Sequence, residues 1–365
     1  MENKILPWAK PYFGQEEIQA VIKCMESGWI SMGNKVKEYE DNFSTKLKTN
    51  YSIAVNSGTA ALDIALKVLG IKPGDEIIIP SFTYIATANS VLYQGAIPVF
   101  ADINDRTFNI DPTEIDKKIT DKTKAVICID YGGNPADYEK IRAVINGKSI
   151  FLVEDGAPGL GSKYKDKYCC TLGDISTTSF HSAKIMTTVE GGMIFTENED
   201  WANQCKIIRS QGESPSKKYY HPRLGHNYRM TDINASIGLV QLKKLDEILK
   251  KRKDLAKYYA KSLSNYSEKI NFIKIKEENE NSWFLYPILI NNRNKVRDKL
   301  LEKRIQTNIS WPTPVYKNDH LLSYFHETCP KAEKICDQIL CLPLYHNMTL
   351  DEQDYIIESL LSVLI

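Results

Sequence analysis

The sequence lacks an excess of charge of either sign. Its 47 Lys and Arg residues are matched by 46 Asp and Glu residues, which gives a formal net charge of +1 at pH 7. A nearly neutral protein has no general attraction for nucleic acid or for an anionic membrane, so neither is expected as a partner. An anionic ligand would therefore have to be bound by a local site.

The sequence also lacks long apolar runs and paired cysteine motifs. No segment approaches the roughly 20 apolar residues that span a bilayer, and the first residues do not form the apolar stretch of a signal peptide. The eight cysteines include no CxxC pair, and no spacing of His and Cys is typical of a metal site. We therefore expect a cytoplasmic protein with free thiols and without a structural or catalytic metal.

Residues 52–196 alternate short β-branched runs with stretches of helical spacing. Strands that alternate with helices predict an α/β fold with a mostly parallel sheet covered on both faces. Ligands of such sheets bind beyond the carboxyl ends of the strands. The loops that follow the strands are therefore the first place to look for a site.

The pattern changes after about residue 230. Residues 230–263 read as long helical chain, in which we expect a bend or a break, and residues 282–290 read as a strand. Two more helices are predicted, the last of them after Asn347. This segment has the composition of a second, smaller α/β unit.

The change of pattern predicts two domains. The large domain would cover residues 1–245, and its first residues would pack on a small C-terminal domain over residues 246–365. No flexible linker or low-complexity tract separates the two segments, so we expect them to pack as one body.

The first candidate segment is Asn56–Ala61, between a predicted strand and a helix. Small residues at a helix N-terminus expose backbone N–H groups, and the helix dipole favours an anion there. Ser57 and Thr59 add hydroxyl donors. Taken alone, the segment fits an ordinary helix cap better than a phosphate site, because such caps are common. The glycine pattern matches neither a Walker A loop nor a dinucleotide fingerprint.

The second candidate is an apolar strand that ends in two carboxylates, Glu154 and Asp155. A carboxylate at that end of a strand faces the ligand crevice. There it is able to pair with a protonated ring nitrogen and to keep a pyridinium ring electron-accepting. A solvent-facing acid or a cap before Gly156 is the alternative.

The third candidate is Ser176–Lys184, which Glu190 follows closely. A lysine among small residues shortly after a strand can reach a ring held at the sheet edge, and partial desolvation lowers its pKa as Schiff-base chemistry requires. The alternative is a surface lysine, and His181 alone is more typical of a structural role. A fourth segment, Gly225–Met230, has polar and aromatic side chains that could contact a ligand or form an interface.

Taken together and in order, these segments resemble the DegT/StrS family of nucleotide-sugar aminotransferases, which are pyridoxal 5′-phosphate (PLP) enzymes of fold type I. The resemblance covers nearly the whole chain and is carried by the motifs KPYFGQEEIQAVIKCMESGWISMGNKVKEYE, NSGTAAL, PSFTYIATANSV, PVFADIN, SFHSAK, EGG, GHNYRM and LPLY. It implies a large domain built on a mostly parallel seven-stranded sheet and a smaller C-terminal α/β domain.

The resemblance also implies roles for residues. Lys184 would be joined covalently to PLP and would then move the proton between substrate and cofactor. Asp155 would keep the pyridine nitrogen protonated, and Tyr84 would stack on the ring. The phosphate would be held by residues with small or hydroxyl side chains, namely Ser57, Gly58, Thr59 and Ser179.

The resemblance further implies a homodimer with shared active sites, because Asn227 would reach the phosphate of a second subunit. Glutamate is the expected amino donor, and a nucleotide-linked keto sugar is the expected acceptor. The SFH form of the lysine motif favours a 4-keto-6-deoxyhexose. His181, Glu190 and Arg229 are candidate substrate contacts.

Two positions depart from the family pattern. Pro158 stands where relatives often carry a glutamine or histidine near the phenolic oxygen of the cofactor, and proline can make no such hydrogen bond. Asp130 stands where many relatives carry histidine, at a strand end expected to lie near the pocket.

Other functions remain compatible with the same motifs. A PLP-dependent sugar dehydratase has the same fold but carries histidine in place of the lysine, so Lys184 argues against it. A non-catalytic regulator that binds PLP or a sugar is disfavoured by the intact Lys184 and Asp155 pair. A non-sugar ketone substrate is a further alternative, because the fold does not fix the substrate.

Overall fold

The structure is a computed structural model that describes residues 4–325 and 327–364. Within these residues, no helix has both the length and the apolar composition that crossing a membrane requires. All eight cysteines lie in the described part of the chain, where they are buried and unpaired.

Strands and helices alternate through the first two thirds of the chain. The strands are β1 (Tyr51–Val55), β2 (Glu76–Pro80), β3 (Ile97–Ala101), β4 (Thr123–Ile129), β5 (Phe151–Asp155), β6 (Lys163–Tyr164), β7 (Lys167–Tyr168), β8 (Ile175–Ser179), β9 (Gly192–Thr196), β10 (Asn271–Phe272), β11 (Tyr286–Leu289) and β12 (Ile339–Leu342). The helices are α1 (Gln15–Glu26), α2 (Asn34–Leu47), α3 (Gly58–Val68), α4 (Ile85–Leu92), α5 (Pro112–Lys118), α6 (Tyr138–Ile145), α7 (Glu199–Arg209), α8 (Asp232–Leu263), α9 (Arg293–Glu302), α10 (Pro330–Gln338) and α11 (Leu350–Val363).

Seven of the described strands form one large sheet in the order β1-β9-β8-β5-β4-β2-β3. The strands from β8 to β3 pair in parallel, and β9 runs antiparallel to both of its neighbours. This confirms the predicted α/β fold with a mostly parallel seven-stranded sheet. The central strands are apolar along their length because helices cover both faces of the sheet.

The parallel pairing decides where the site lies. The strands β4, β5 and β8 are adjacent in the sheet, and Asp155 of β5 pairs with Thr177 of β8. Their carboxyl ends therefore meet at one edge, and the loops that follow them share a crevice.

Helix α8 runs without interruption over 32 residues, so the predicted bend or break is wrong. It contains no proline, and its one glycine serves close packing: a Cβ on Gly238 would lie 2.6 Å from the ring of Tyr39 in α2. The first half of the helix packs into one hydrophobic core through Leu239 and Leu242. The second half packs into a separate core, which contains Tyr259, Leu263 and Leu360. The helix is continuous because both cores bury it.

A three-stranded sheet, β10-β11-β12, forms the centre of the C-terminal part. Near the start of the chain, Leu6 donates its backbone N–H to the carbonyl of Arg304 and accepts from the N–H of Gln306, both at 2.9 Å. The predicted division after residue 245 falls inside α8, and it stays a prediction.

The predicted strand over residues 282–290 is only partly correct, because β11 begins at Tyr286. Ahead of it, Trp283 has a positive φ of 56°, and Ser282 donates its N–H to the Oγ of Ser162 at 3.0 Å. These residues leave the extended conformation where they pass the crevice and contact Ser162 and Gly133.

Candidate active site

A cavity of about 710 Å³ opens at the carboxyl ends of β4, β5 and β8. Residues 284–285 and 308–312 from the C-terminal part of the chain form another part of its wall. Nine residues predicted as site residues line it: Ser57, Gly58, Thr59, Tyr84, Asp155, Ser179, His181, Lys184 and Glu190. The structure therefore brings together groups from four separate segments of the sequence.

Asp155, the last residue of β5, is 4% exposed. Its Oδ2 accepts a hydrogen bond from the hydroxyl of Thr87 at 2.8 Å, and its Oδ1 accepts one from the N–H of Ala157 at 3.3 Å. Burial raises the pKa of Asp155, and these hydrogen bonds and the charge of Lys184 oppose that rise. Within the described residues the carboxylate has no ion-pair partner, so the site favours a cation at this position.

Lys184 lies in the turn that follows β8, where its N–H bonds the carbonyl of His181 at 2.9 Å. Burial lowers the pKa of Lys184 to about 8, and the charge of Asp155 opposes the shift. The ring centre of Phe284 lies 4.5 Å from the amine nitrogen. A lysine with a pKa near neutrality has a substantial fraction of the nucleophilic, unprotonated form.

The N-terminus of α3 faces the same cavity. Ser57 caps this helix, since its hydroxyl accepts a hydrogen bond from the N–H of Ala60 at 3.1 Å. A Cβ on Gly58 would lie only 2.9 Å from the Cβ of Ser179, so only glycine allows this close approach. The first residues of α3 and the hydroxyl-bearing Ser179 therefore line the same cavity, and such a helix N-terminus suits an anion.

Three predicted residues line the outer part of the cavity. Tyr84 is 58% exposed and directly precedes α4. The Nε2 of His181 lies 3.8 Å from a carboxylate oxygen of Glu190, and both side chains are exposed. Their exposure leaves them accessible to a ligand that enters from solvent.

Two predicted residues do not line the cavity of the same chain. Asn227 is exposed, and its backbone carbonyl accepts a hydrogen bond from Asn56 at 3.4 Å. Arg229 forms a backbone bridge with Val55. The structure thus places both beside β1 and outside the crevice.

The residues of the site that were not predicted include Thr87, Trp8, Phe284 and Trp311. Thr87 lies in the first turn of α4 and orients Asp155; its place one turn after Tyr84 on a predicted helix was an available signal. Trp8, Phe284 and Trp311 line the cavity from distant segments. No local pattern marks these three, because only the tertiary fold brings them to the crevice.

The two departures from the family pattern have different surroundings. Pro158 lines the cavity, as expected from its place after β5. Asp130 does not: it is fully buried behind Tyr131, and its Oδ1 accepts hydrogen bonds from the N–H of Ala136 and the hydroxyl of Tyr138. The expectation that Asp130 faces the pocket is corrected accordingly, because its side chain points into the protein.

The second oxygen of Asp130 lies close to Glu154 and Cys169. Burial and the charge of Glu154 raise the pKa of Asp130 well above its usual range. The carboxylate of Glu154 accepts from the N–H groups of Cys170 and Leu172 at 2.5 and 2.7 Å. Burial next to the carboxylate of Glu154 therefore favours the protonated form of Asp130.

The donor set of the cavity fits PLP. The cofactor has a phosphate, a pyridine nitrogen that becomes cationic and an aldehyde. The α3 N-terminus with Ser179 suits the phosphate, the unpaired buried Asp155 suits the ring nitrogen, and the amine of Lys184 suits the aldehyde. All three groups line one cavity.

Comparison with known proteins agrees with this fit. The DegT/DnrJ/EryC1/StrS aminotransferase family matches residues 11–361. The chain is 34% identical over 367 residues to the GDP-perosamine synthase of Escherichia coli O157:H7, and the match covers 98% of both chains.

Solved structures match over almost the entire chain. Spr1654 of Streptococcus pneumoniae in its PLP form superposes with a TM-score of 0.94 at 30% identity and covers 99% of both chains. Its PMP form superposes with a TM-score of 0.93. PseC of Helicobacter pylori, an aminotransferase involved in the biosynthesis of pseudoaminic acid, has a TM-score of 0.94 at 26% identity, with 99% of both chains covered.

Proposed function

The chain belongs to the DegT/DnrJ/EryC1/StrS aminotransferase family, and from this premise we propose that it transfers an amino group from glutamate to a nucleotide-linked 4-keto-6-deoxyhexose. The enzyme class itself is established, since the chain is a PLP-dependent sugar aminotransferase. We propose the identity of the amino donor, the identity of the sugar and the carbon that receives the amino group.

One observation carries the assignment of roles: Asp155, Lys184 and the N-terminus of α3 line a single cavity. When bound, PLP supplies an aldehyde that carries the amino group and a ring that accepts electrons from the substrate carbon. In our proposal Lys184 holds the aldehyde, Asp155 holds the proton on the ring nitrogen, and Thr87 fixes the orientation of Asp155. Ser57, Gly58, Thr59 and Ser179 bind the phosphate, and Tyr84 covers the ring.

Lys184 then acts as the base and acid. Because burial lowers its pKa to about 8, the amine is able to accept a proton from the carbon of the donor that bears nitrogen. It returns a proton to the former carbonyl carbon of the sugar. A group with a pKa near the working pH is suited to move a proton in both directions.

The wall of the cavity supports a deoxy sugar. The segments from the C-terminal part and the N-terminus contribute mainly apolar side chains, namely Trp8, Phe284, Leu285, Ile309, Trp311 and Pro312. A buried hydroxyl without a hydrogen-bond partner is unfavourable on such a surface, whereas a methyl group gains from the contact. A 6-deoxyhexose presents a methyl group where an ordinary hexose presents a hydroxyl.

A shared site in a homodimer is also proposed. Asn227 is exposed and lies outside the cavity of its own chain, which is compatible with a contact to the phosphate in a second copy. His181, Glu190 and Arg229 are proposed substrate contacts, the first two from within the cavity. We place the reaction in amino sugar and polysaccharide biosynthesis in the cytoplasm.

Mass spectrometry of reaction products tests the proposal. The enzyme with PLP and glutamate is offered a panel of nucleotide-linked sugars that differ in the position of the keto group and in the presence of a 6-hydroxyl. The proposal expects an amino sugar and 2-oxoglutarate from the 4-keto-6-deoxy member. Loss of oxygen without gain of nitrogen would assign a dehydratase, and turnover of 3-keto sugars alone would move the reaction to another carbon.

A further inference from the structure

The amine of Lys184 has an unusual environment. Among the contacts of the described residues, its Nζ donates no hydrogen bond and forms no salt bridge. It lies over the ring face of Phe284, whose centre is 4.5 Å away. Asp155 is the charged group that acts on the amine, and it does so from β5 without a hydrogen bond.

Phe284 is held in place by a buried arginine. The Nε of Arg252 donates to the carbonyl of Trp283, and its terminal nitrogen Nη2 donates to the carbonyl of Phe284, both at 2.8 Å. Arg252 is 7% exposed and comes from α8. Two charge-assisted hydrogen bonds from a rigid helix fix the backbone on which the phenyl ring is mounted.

The same segment is docked on the large domain. Gly133 has a φ of 95°, and a Cβ there would lie 2.6 Å from the Oδ1 of Asn281 and from the Oγ of Ser282. The hydroxyl of Ser162 donates to the carbonyl of Gly133 at 2.6 Å and lies 2.8 Å from that of Ser282. The segment has little freedom to move away from the cavity.

We propose that Phe284 is a positioning residue for Lys184, whose ring face restrains the amine in the cavity and keeps water from it. The inference deepens the proposed function and rests on the role assigned there to Lys184. The ring is neither nucleophile nor acid. It acts by setting the position and the protonation of Lys184, which fills those roles.

The ring has two opposing effects on Lys184. Its face attracts an ammonium ion, which raises the pKa of the amine. Its bulk excludes water, which lowers that pKa. Leucine retains an apolar cover but has no ring face, whereas alanine removes both, so the two substitutions separate the two effects.

The test measures the ionisation of Lys184 in the cofactor-free protein. Each variant is acylated briefly at a series of pH values from 6 to 11, and the modified fraction of the peptide that contains Lys184 is quantified by mass spectrometry. Phe284→Leu should lower the titration midpoint of Lys184 by about half a unit to one unit, since it loses the attraction of the ring face. Phe284→Ala should raise it by roughly one unit or more, towards the value of a hydrated lysine.

Phe325→Leu is the matched control. Phe325 also has a lysine over its ring, since the Nζ of Lys118 lies 5.7 Å from its centre, and it does not line the cavity. This variant should leave the midpoint of Lys184 unchanged. The other ionisable groups of the cavity, namely Asp155, His181, Glu190, Tyr84 and Tyr131, are the same in every variant.

An unchanged midpoint in Phe284→Leu, or an upward shift there, would overturn the role of the ring face. An unchanged midpoint in Phe284→Ala would overturn the exclusion of water. Borohydride reduction of the wild-type holoenzyme is run in parallel. If the cofactor were trapped on another lysine, the proposed role of Lys184 would fail, and the titration would still report whether Phe284 controls the amine.

Discussion

Asp155, the last residue of β5, and Lys184, in the turn after β8, face one cavity and interact through their opposite charges. They meet because β5 and β8 are parallel neighbours, so that the chain delivers both side chains to the same edge of the sheet. A ring placed between a carboxylate and an amine has its nitrogen at one group and its aldehyde at the other.

Replacing Asp155 by asparagine removes the charge and keeps the shape. Since a neutral amide does not stabilise a protonated ring nitrogen, we expect turnover to fall at least about a hundredfold, or roughly 2.7 kcal/mol in the barrier. Steady-state kinetics of Asp155→Asn with saturating PLP measures this. Asp166→Asn, at an exposed position of the β6–β7 turn, is the control, and equal turnover of the two variants would refute the role of Asp155.

The rate of the half-reaction with glutamate should depend on pH. Lys184 has a pKa lowered to about 8 by burial, and its protonated form cannot accept a proton. The single-turnover rate should therefore fall about tenfold per pH unit below that pKa and level off above it. Stopped-flow absorbance of the bound cofactor follows the reaction, and a flat profile between pH 6 and 9 would contradict the assignment.

Asp130 should make stability depend on pH. Its folded pKa is raised by burial and by Glu154, so the unfolded chain releases this proton at lower pH than the folded protein does. Asp130 therefore stabilises the folded protein fully only at acid pH. The free energy of unfolding falls as the pH rises above the pKa that Asp130 has in the unfolded chain and through its pKa in the folded protein. Asp130→Asn keeps an acceptor for Ala136 and Tyr138 without the charge, so its stability should decline less between pH 4 and 9.

Urea unfolding of Asp130→Asn, Asp130→Ala and wild-type protein at several pH values measures this effect. The alanine variant should lose about 1–3 kcal/mol at acid pH, because it leaves buried partners without an acceptor. The exposed Asp105 supplies the control Asp105→Asn. Identical pH slopes for wild-type protein and Asp130→Asn would show that no raised pKa exists at this position.

A shared active site predicts complementation between inactive variants. Lys184→Ala and Asn227→Ala chains are each expected to lose activity alone. A mixed dimer would contain one site with an intact lysine from one chain and an intact asparagine from the other. Random reassortment of equal amounts should restore about a quarter of the wild-type activity. A mixture no more active than the sum of its parts, although subunit exchange is shown by mass spectrometry, would contradict a site that Asn227 completes.

Much of the site could be predicted because it lies on parallel strands. The apolar run before Asp155 predicts a buried strand, and the carboxyl end of such a strand in a parallel sheet lies at the ligand edge. The helix cap at Ser57 and the small residues around Lys184 are likewise local patterns. The order of the motifs along the chain indicated the family and the cofactor, which no single segment specified.

The remainder depends on tertiary packing. Phe284 was predicted in a strand, yet Trp283 ahead of β11 has a positive φ and the segment docks on Gly133. Asp130 directly follows β4 and Asp155 is the last residue of β5, but the side chain of Asp130 points towards Glu154 and away from the cavity. Helix α8 remains continuous because two separate cores bury its two halves. The sequence of the helix alone does not indicate either core, since the other residues of each core come from distant segments.

Reduction of the holoenzyme with borohydride, followed by digestion and peptide mass spectrometry, tests the central claim most directly. We predict a reduced cofactor on Lys184, absent from Lys184→Ala and obtained in good yield only when PLP is bound. A stable adduct on a different lysine, or none with wild-type protein that retains PLP, would contradict the account.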